Sequence, residues 1–385
     1  MAELLASSEE EKMTVLKNGN IVTPAGAVKG DVVIEGGVIK QIGGTDLPGI
    51  DITGKTVLPG FIDTHIHGAF GVEFSSDEGS FDAGLIEEAK QGVTSVCCTV
   101  RTLPLEDTYK AIKNIVKEYK RSPKGAKIEG IHLEGPFVSR EFSGAMNPAW
   151  LSLPNPEEIK KLFDLSEGLL KIITIAPELP GALKSIESAA KLGINVSLGH
   201  TGCDYETARA AIEAGANRLT HTFNAMSPFL HRSPGVLGVA LTDGRVCCEM
   251  ICDLVHLHKA AIKLIFAAKG GDNINMVSDS GVFAGLGDGE YTVSGVKRLV
   301  KDGVCRNESG RIAGSCFTLR AGVANLIKEG YDINAISKMA SANPARALGI
   351  DGFKGSLKVG MSASLCVIDS AGEVLFSMAE GVRYA

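Results

Sequence analysis

Four stretches of the chain repeat one alternation: an amphipathic helical run, a glycine, then a short unbroken apolar run. They read LIEEAKQG-VTSVCCTV, SIESAAKLG-INVSLGH, ARAAIEAGA-NRLTHTFN and LIFAAKGG-DNINMVSD. Apolar residues recurring every three to four positions mark one face of a helix, and glycine just past the last turn is the usual stop. The continuous apolar run beyond it fits a strand buried on both faces of a parallel sheet. Asp204, ahead of YETARAAIEAG, is placed to cap one of these helices. Units of this kind connect right-handedly, and eight of them close a barrel. The pattern predicts barrel strands near 59–66, 93–100, 127–134, 170–176, 194–200, 217–222, 246–252 and 274–279. An open doubly wound sheet is the alternative, but it calls for a GxGxxG turn after its first strand, and none is present.

The two ends have another texture. Residues 13–57 read as short alternating strands with turns (VLKNGNIV, GDVVIEGGVIKQIG), and the tail from about 353 repeats it (GSLKVGMSASLCVID, GEVLFSMAEG). The predicted fold class is therefore α/β: a (β/α)8 TIM-like barrel over 58–354, beside a small β-sandwich built from 13–57 and 355–385. Residues 1–12 are polar and acidic, without the apolar segment of a signal peptide, and read as a short disordered extension. Loops at 135–150 and 227–236 follow predicted strands, on the barrel face where specificity resides.

Composition narrows the function. A net charge of −6 over 385 residues argues against a nucleic-acid or anionic-membrane surface, so any positive field for an anionic substrate must be local. No apolar run reaches the ~18 residues of a membrane span. Nine cysteines without a CxxC pair read as buried reduced thiols, which places the protein in the cytoplasm.

Candidate chemistry sits at the predicted strand ends: His65 and His67 in FIDTHIHG, Glu134 in GIHLEGP, His200 in VSLGHT, His221 in RLTHTFNAM and Asp279 in NMVSDS. Residues two apart on a strand share a face, so the two imidazoles of HxH point the same way. Imidazole and carboxylate donors suit a zinc-like divalent ion, with one position left open for water in a catalytic site. His132, two residues deeper than Glu134, reads as a core histidine, and His231 as a surface one.

PGFIDTHIHG resembles the first-strand signature of the amidohydrolase superfamily. HLEGPF, SLGHT, THTFNAMSP, HRSPG, VSDS with AGLGDGEY, RIAGS and SANPARALG together resemble the N-acetylglucosamine-6-phosphate deacetylases, from about residue 13 to the C-terminus. The resemblance implies that Glu134, His200 and His221 hold the main metal and that His65 and His67 can hold a second. It makes Asp279 the catalytic acid/base for attack of an activated water on the acetamide. The metal is zinc first, with iron, manganese, cobalt or nickel as alternatives, at one or two ions per subunit. Ala145, Asn224, Ala225, Arg232, His256 and the Ile312-Ala313-Gly314 stretch correspond to substrate contacts, with Arg232 the natural phosphate clamp because its planar fork meets oxyanions bidentately. A homodimer is implied, with His256 reaching the neighbouring site.

Three positions depart from the family pattern. Met146 stands where a substrate-contacting histidine is usual, Leu254 where glycine is common, and Ser364 where aspartate is frequent. A thioether cannot donate a hydrogen bond. Two alternatives follow: a deacylase of another N-acylated hexosamine phosphate or a cyclic amide, and a catalytically impaired metal-binding homologue. The first is weakened for cyclic amides because Glu134 occupies the position where those enzymes carry a bridging lysine. Retention of every ligand and of Asp279 weighs against the second.

Overall fold

The computed structural model describes residues 13–293, 296–306 and 312–385; the expected extension at 1–12 lies outside the described residues. Eight parallel strands, Phe61–Ile66, Val93–Val100, Lys127–Glu134, Leu170–Ile175, Asn195–Leu198, Ala216–Leu219, Cys247–Ile251 and Ile274–Val277, pair in sequence order. The ring closes just beyond the last strand. His65 O accepts from Asp279 N at 2.9 Å, and Ser280 O from His67 N at 2.8 Å. Residues singled out for chemistry thus make the final seam of the barrel.

Each unit forms for local reasons. Helix Leu105–Arg121 carries Glu106 and Asp107 in its first turn and Lys120 and Arg121 in its last, signs that complement the helix dipole. Its face of Ala111, Ile112, Ile115 and Val116 is buried in the main core. Asp204 caps Tyr205–Glu213 by accepting from Thr207 N at 2.8 Å, as expected. All four glycine stops take positive φ: Gly92 86°, Gly193 78°, Gly215 115° and Gly270 63°. Such angles are open to glycine at little steric cost.

Strands from both ends of the chain join one eight-stranded sheet. Leu365–Ile368 pairs antiparallel with Thr56–Pro59, which lies beside Thr14–Thr23. This sheet has its own core of Leu16, Ile21, Val32, Ile34, Val57, Leu365, Val367 and Phe376. The SANPARALG motif proves structural at the opposite end of the barrel from the ligands. Asn343 Nδ2 donates to Gly271 O and Ile274 O, both at 2.7 Å, pinning the start of the last barrel strand. One element was not foreseen: a four-stranded antiparallel sheet, Gly289–Val293, Val296–Lys301, Val304–Arg306 and Ile312–Ser315, inserted after that strand.

Candidate metal centre

Five strands deliver six side chains to the C-terminal mouth of the barrel. His65 and Glu134 are within strands, while His67, His200, His221 and Asp279 follow one or two residues after a strand ends. His200 (φ 48°), His221 (27°) and Asp279 (49°) all leave their strands in the left-handed region. Side chains other than glycine rarely adopt it, and such strain concentrates at functional sites.

The six form two sets sharing Glu134. In one, Glu134 Oε1 lies 3.2 Å from His200 Nε2 and 3.0 Å from His221 Nε2, and the two nitrogens are 3.0 Å apart. A tetrahedral ion with bonds of ~2.0–2.1 Å separates its ligand atoms by ~3.3 Å, so the triangle has the dimensions of one coordination face. In the other, His65 Nε2 lies 3.4 Å from both Glu134 Oε1 and Asp279 Oδ1, and His67 Nε2 is 3.3 Å from Glu134 Oε2 and 3.2 Å from Asp279 Oδ1.

Hydrogen bonds behind the imidazoles decide which nitrogen faces inward. His200 Nδ1 donates to Phe142 O at 2.8 Å, since a carbonyl can only accept. His65 Nδ1 lies 2.9 Å from Glu249 Oε2. Both Nε2 atoms are therefore aimed at the cluster, and His65 Nε2 is buried with no hydrogen-bond partner among the described residues. Outward-tied imidazoles, an orphaned inward nitrogen and a nitrogen–oxygen donor set free of thiolate fit a divalent cation.

Charge is balanced within the cluster. Burial pushes the Glu134 carboxyl up, but His65, His200 and His221 outweigh it and hold it well below the usual range. Asp279 follows the same logic, with His65 and His67 overcoming burial. Burial lowers His67, yet Asp279 and Glu134 bring it up to about 9. His132, expected as a core histidine, is buried with its Nε2 2.9 Å from Thr174 Oγ1; burial and His65 push it down to about 3, so it stays neutral.

The residues expected around the substrate are more scattered. Asn224 Nδ2 donates back to His221 O at 3.2 Å, and Ala225, at φ 50°, accepts from Thr201 N at 3.2 Å. Arg232 and His231 are exposed on the 227–236 loop, and no described contact ties Arg232 to the cluster. Ala145 is exposed; Met146 Sδ accepts from Thr102 Oγ1 at 3.0 Å, and that hydroxyl also lies 3.0 Å from Glu134 O. Gly314 sits beside Asp279, whose carbonyl accepts from Ser315 N at 2.8 Å; the side chains of Ile312 and Ala313 lie outside the described residues. Leu254 takes φ 65°, the angle a glycine would hold more easily. Ser364 is buried, 3.0 Å from Ser362 Oγ.

His256 Nδ1 lies 2.7 Å from Asp253 Oδ2. Burial lowers its pKa, but Asp253 and then this chain's own Asp279 raise it above the ordinary value. Sequence reasoning missed Glu249, Arg218 and Asp253. The available signal was a lone charge inside an apolar strand, as in VCCEMIC.

The Amidohydrolase family pattern matches residues 56–383. The chain is 35% identical to N-acetylgalactosamine-6-phosphate deacetylase of Escherichia coli O157:H7 over 339 residues, covering 88% of this chain and 90% of that one. It is 35% identical to N-acetylglucosamine-6-phosphate deacetylase of Bacillus subtilis over 333 residues, 85% of this chain and 84% of the other. Among solved structures, a mutant N-acetyl-D-glucosamine-6-phosphate deacetylase of Mycobacterium smegmatis, in complex with N-acetyl-D-glucosamine-6-phosphate, superposes with a TM-score of 0.91. Identity is 31%, covering 97% of this chain and 100% of that one. The Pasteurella multocida N-acetylglucosamine-6-phosphate deacetylase gives 0.90 at 31% identity and the same coverage.

Proposed function

Since the chain belongs to the amidohydrolase family, alongside the N-acetyl-amino-sugar 6-phosphate deacetylases, we propose that it hydrolyses N-acetylglucosamine 6-phosphate to glucosamine 6-phosphate and acetate. The observation that carries this reading is the 3.0–3.2 Å triangle of Glu134, His200 and His221. Those three hold the main ion, zinc first among the candidates, and His65 and His67 provide a second position. A bound divalent ion supplies Lewis acidity, polarising the acetyl carbonyl and making water nucleophilic near neutral pH. Asp279 takes the proton from the attacking water and returns it to the nitrogen as the C–N bond breaks. Arg232 meets the phosphate, and Ala145, Asn224, Ala225 and the 312–314 stretch line the sugar.

The reading includes a homodimer, supported by Phe229 and Leu230, exposed on the loop that carries Arg232. His256, whose Nδ1 lies 2.7 Å from Asp253 Oδ2, is the residue this reading contributes to the neighbouring subunit's site. A cytoplasmic location is supported by nine free cysteines; no described helix is long and apolar enough to cross a membrane. The reading divides the chain into a unit of 13–57 with 355–385 and a barrel unit of 58–354, with the strand Thr56–Pro59 crossing from one to the other.

The test is acetate release from N-acetylglucosamine 6-phosphate by zinc-loaded protein. Asp279→Asn should lower turnover on the order of 10³-fold, and unchanged release would remove Asp279 from its role. The C4 epimer named by the Escherichia coli relative is the second reading, and competition between the two sugar phosphates decides between them.

A further inference from the structure

Glu249 lies in the middle of the strand Cys247–Ile251 and is fully buried. It is outside every set expected from the sequence, yet it touches both groups of metal-facing residues. Its Oε2 accepts from His65 Nδ1 at 2.9 Å and from the backbone N of His221 at 3.1 Å. Its Oε1 accepts from Arg218 Nη2 at 3.0 Å. Arg218, itself buried, also donates to Thr64 Oγ1 at 3.3 Å. With the Asn275 amide turned so that its oxygen faces the guanidinium, it donates there as well, at 2.7 and 3.1 Å. One ladder of hydrogen bonds thus ties barrel strands one, six, seven and eight beneath the cluster.

A carboxylate buried mid-strand is costly unless paired and saturated with donors. Here three donors, one of them a guanidinium, satisfy it, so it is built into the site. The ionised oxygen can only accept, which places the His65 proton on Nδ1 and leaves the Nε2 lone pair facing Glu134 and Asp279. The same oxygen fixes the backbone of His221, which belongs to the other set. We propose that Glu249 is a positioning residue that sets the tautomer of His65 and the placement of His221, so that the two ion positions are aligned by one carboxylate. This rests on the metal-site reading above.

The test uses the full chain and zinc, by equilibrium dialysis with elemental analysis. Glu249→Gln keeps the size but turns an amide donor toward groups that already donate. It should weaken zinc binding ~10–100-fold, the usual cost of losing a residue that orients a ligand. Zinc count and affinity within twofold of wild type would overturn the proposal while leaving the site reading intact. Wild-type protein that takes up no zinc would overturn both. Should the variant fail to fold, nitrogen-15 histidine spectra of zinc-loaded wild type decide, with the His65 signal assigned by its loss in His65→Gln. A proton on Nδ1 is expected, and a proton on Nε2 would overturn the assignment.

Discussion

Two groups of buried carboxylates share this barrel and titrate in opposite directions. At the mouth, Glu134, Glu249 and Asp279 are surrounded by His65, His67, His200, His221 and Arg218, and all three are held below the ordinary carboxylate range. Behind the first strand, Asp63 accepts from the backbone N of His65 and Ser278 at 3.2 and 3.3 Å, too little with the nearby His65 charge to offset its burial. Glu88 has no hydrogen-bond partner among the described residues. Burial pushes Asp63 up to about 6 and, with Asp63 adding to it, Glu88 up to about 8. Asp63 lies two residues before His65 on the same strand, so neither residue type nor burial separates the groups. The neighbours do: an opposite charge favours the ionised form, and desolvation alone opposes it. The mouth is therefore prepared to meet a cation, while burial lifts both carboxyls of the pair beneath it, and lifts Glu88 far enough to keep its proton at neutral pH.

The largest expected effect comes from removing the shared carboxylate at the mouth. Glu134→Gln takes one charge from both ligand sets and leaves the imidazoles in place. Zinc affinity should fall by at least ~10²-fold, since loss even of an orienting neighbour costs 10–100-fold. Equilibrium dialysis reads this directly. Affinity unchanged from wild type would mean that the mouth's negative charge is matched by the protein alone.

The contrast also explains what the sequence could and could not reveal. Buried parallel strands are continuous apolar runs, which made all eight legible, and the glycines at 92, 193, 215 and 270 marked the starts of four of them. His65, His67, Glu134, His200, His221 and Asp279 were legible because a polar residue ending an apolar run has few structural reasons to be there. Glu249 and Arg218 lie inside such runs and answer each other across two neighbouring strands, a pairing that only the register Arg218↔Cys247 and Leu219↔Cys248 reveals. The inserted sheet was illegible because its strands span three to six residues and lack a sustained alternation.

A second change completes the mouth instead of depleting it. Met146 Sδ accepts from Thr102 Oγ1 and donates nothing to a substrate. Met146→His adds a donor at the rim, where a polarising contact is worth on the order of 10²-fold in turnover. A rise of that size, measured as acetate release, would show a site running below its capacity. Unchanged turnover would show that the existing groups suffice.

The smallest expected effect tests the lower pair. Both Glu88 oxygens are buried without a hydrogen-bond partner among the described residues. Its folded pKa, about 8, exceeds the ordinary 4.5. Between those values the folded chain keeps a proton that the unfolded chain has released, so stability falls as pH rises through that window. The protonated form's contribution is fully present below pH 4.5 and is lost by about pH 8. One unit corresponds to about 1.4 kcal/mol, and with partial relaxation we expect roughly 2–3 kcal/mol across the window. Glu88→Gln cannot ionise, so its stability relative to wild type should grow between pH 5 and pH 8.5 in parallel denaturant melts. A difference that stays constant across that range would mean that Glu88 is ionised and partnered like the carboxylates above it, and the contrast between the two groups would collapse.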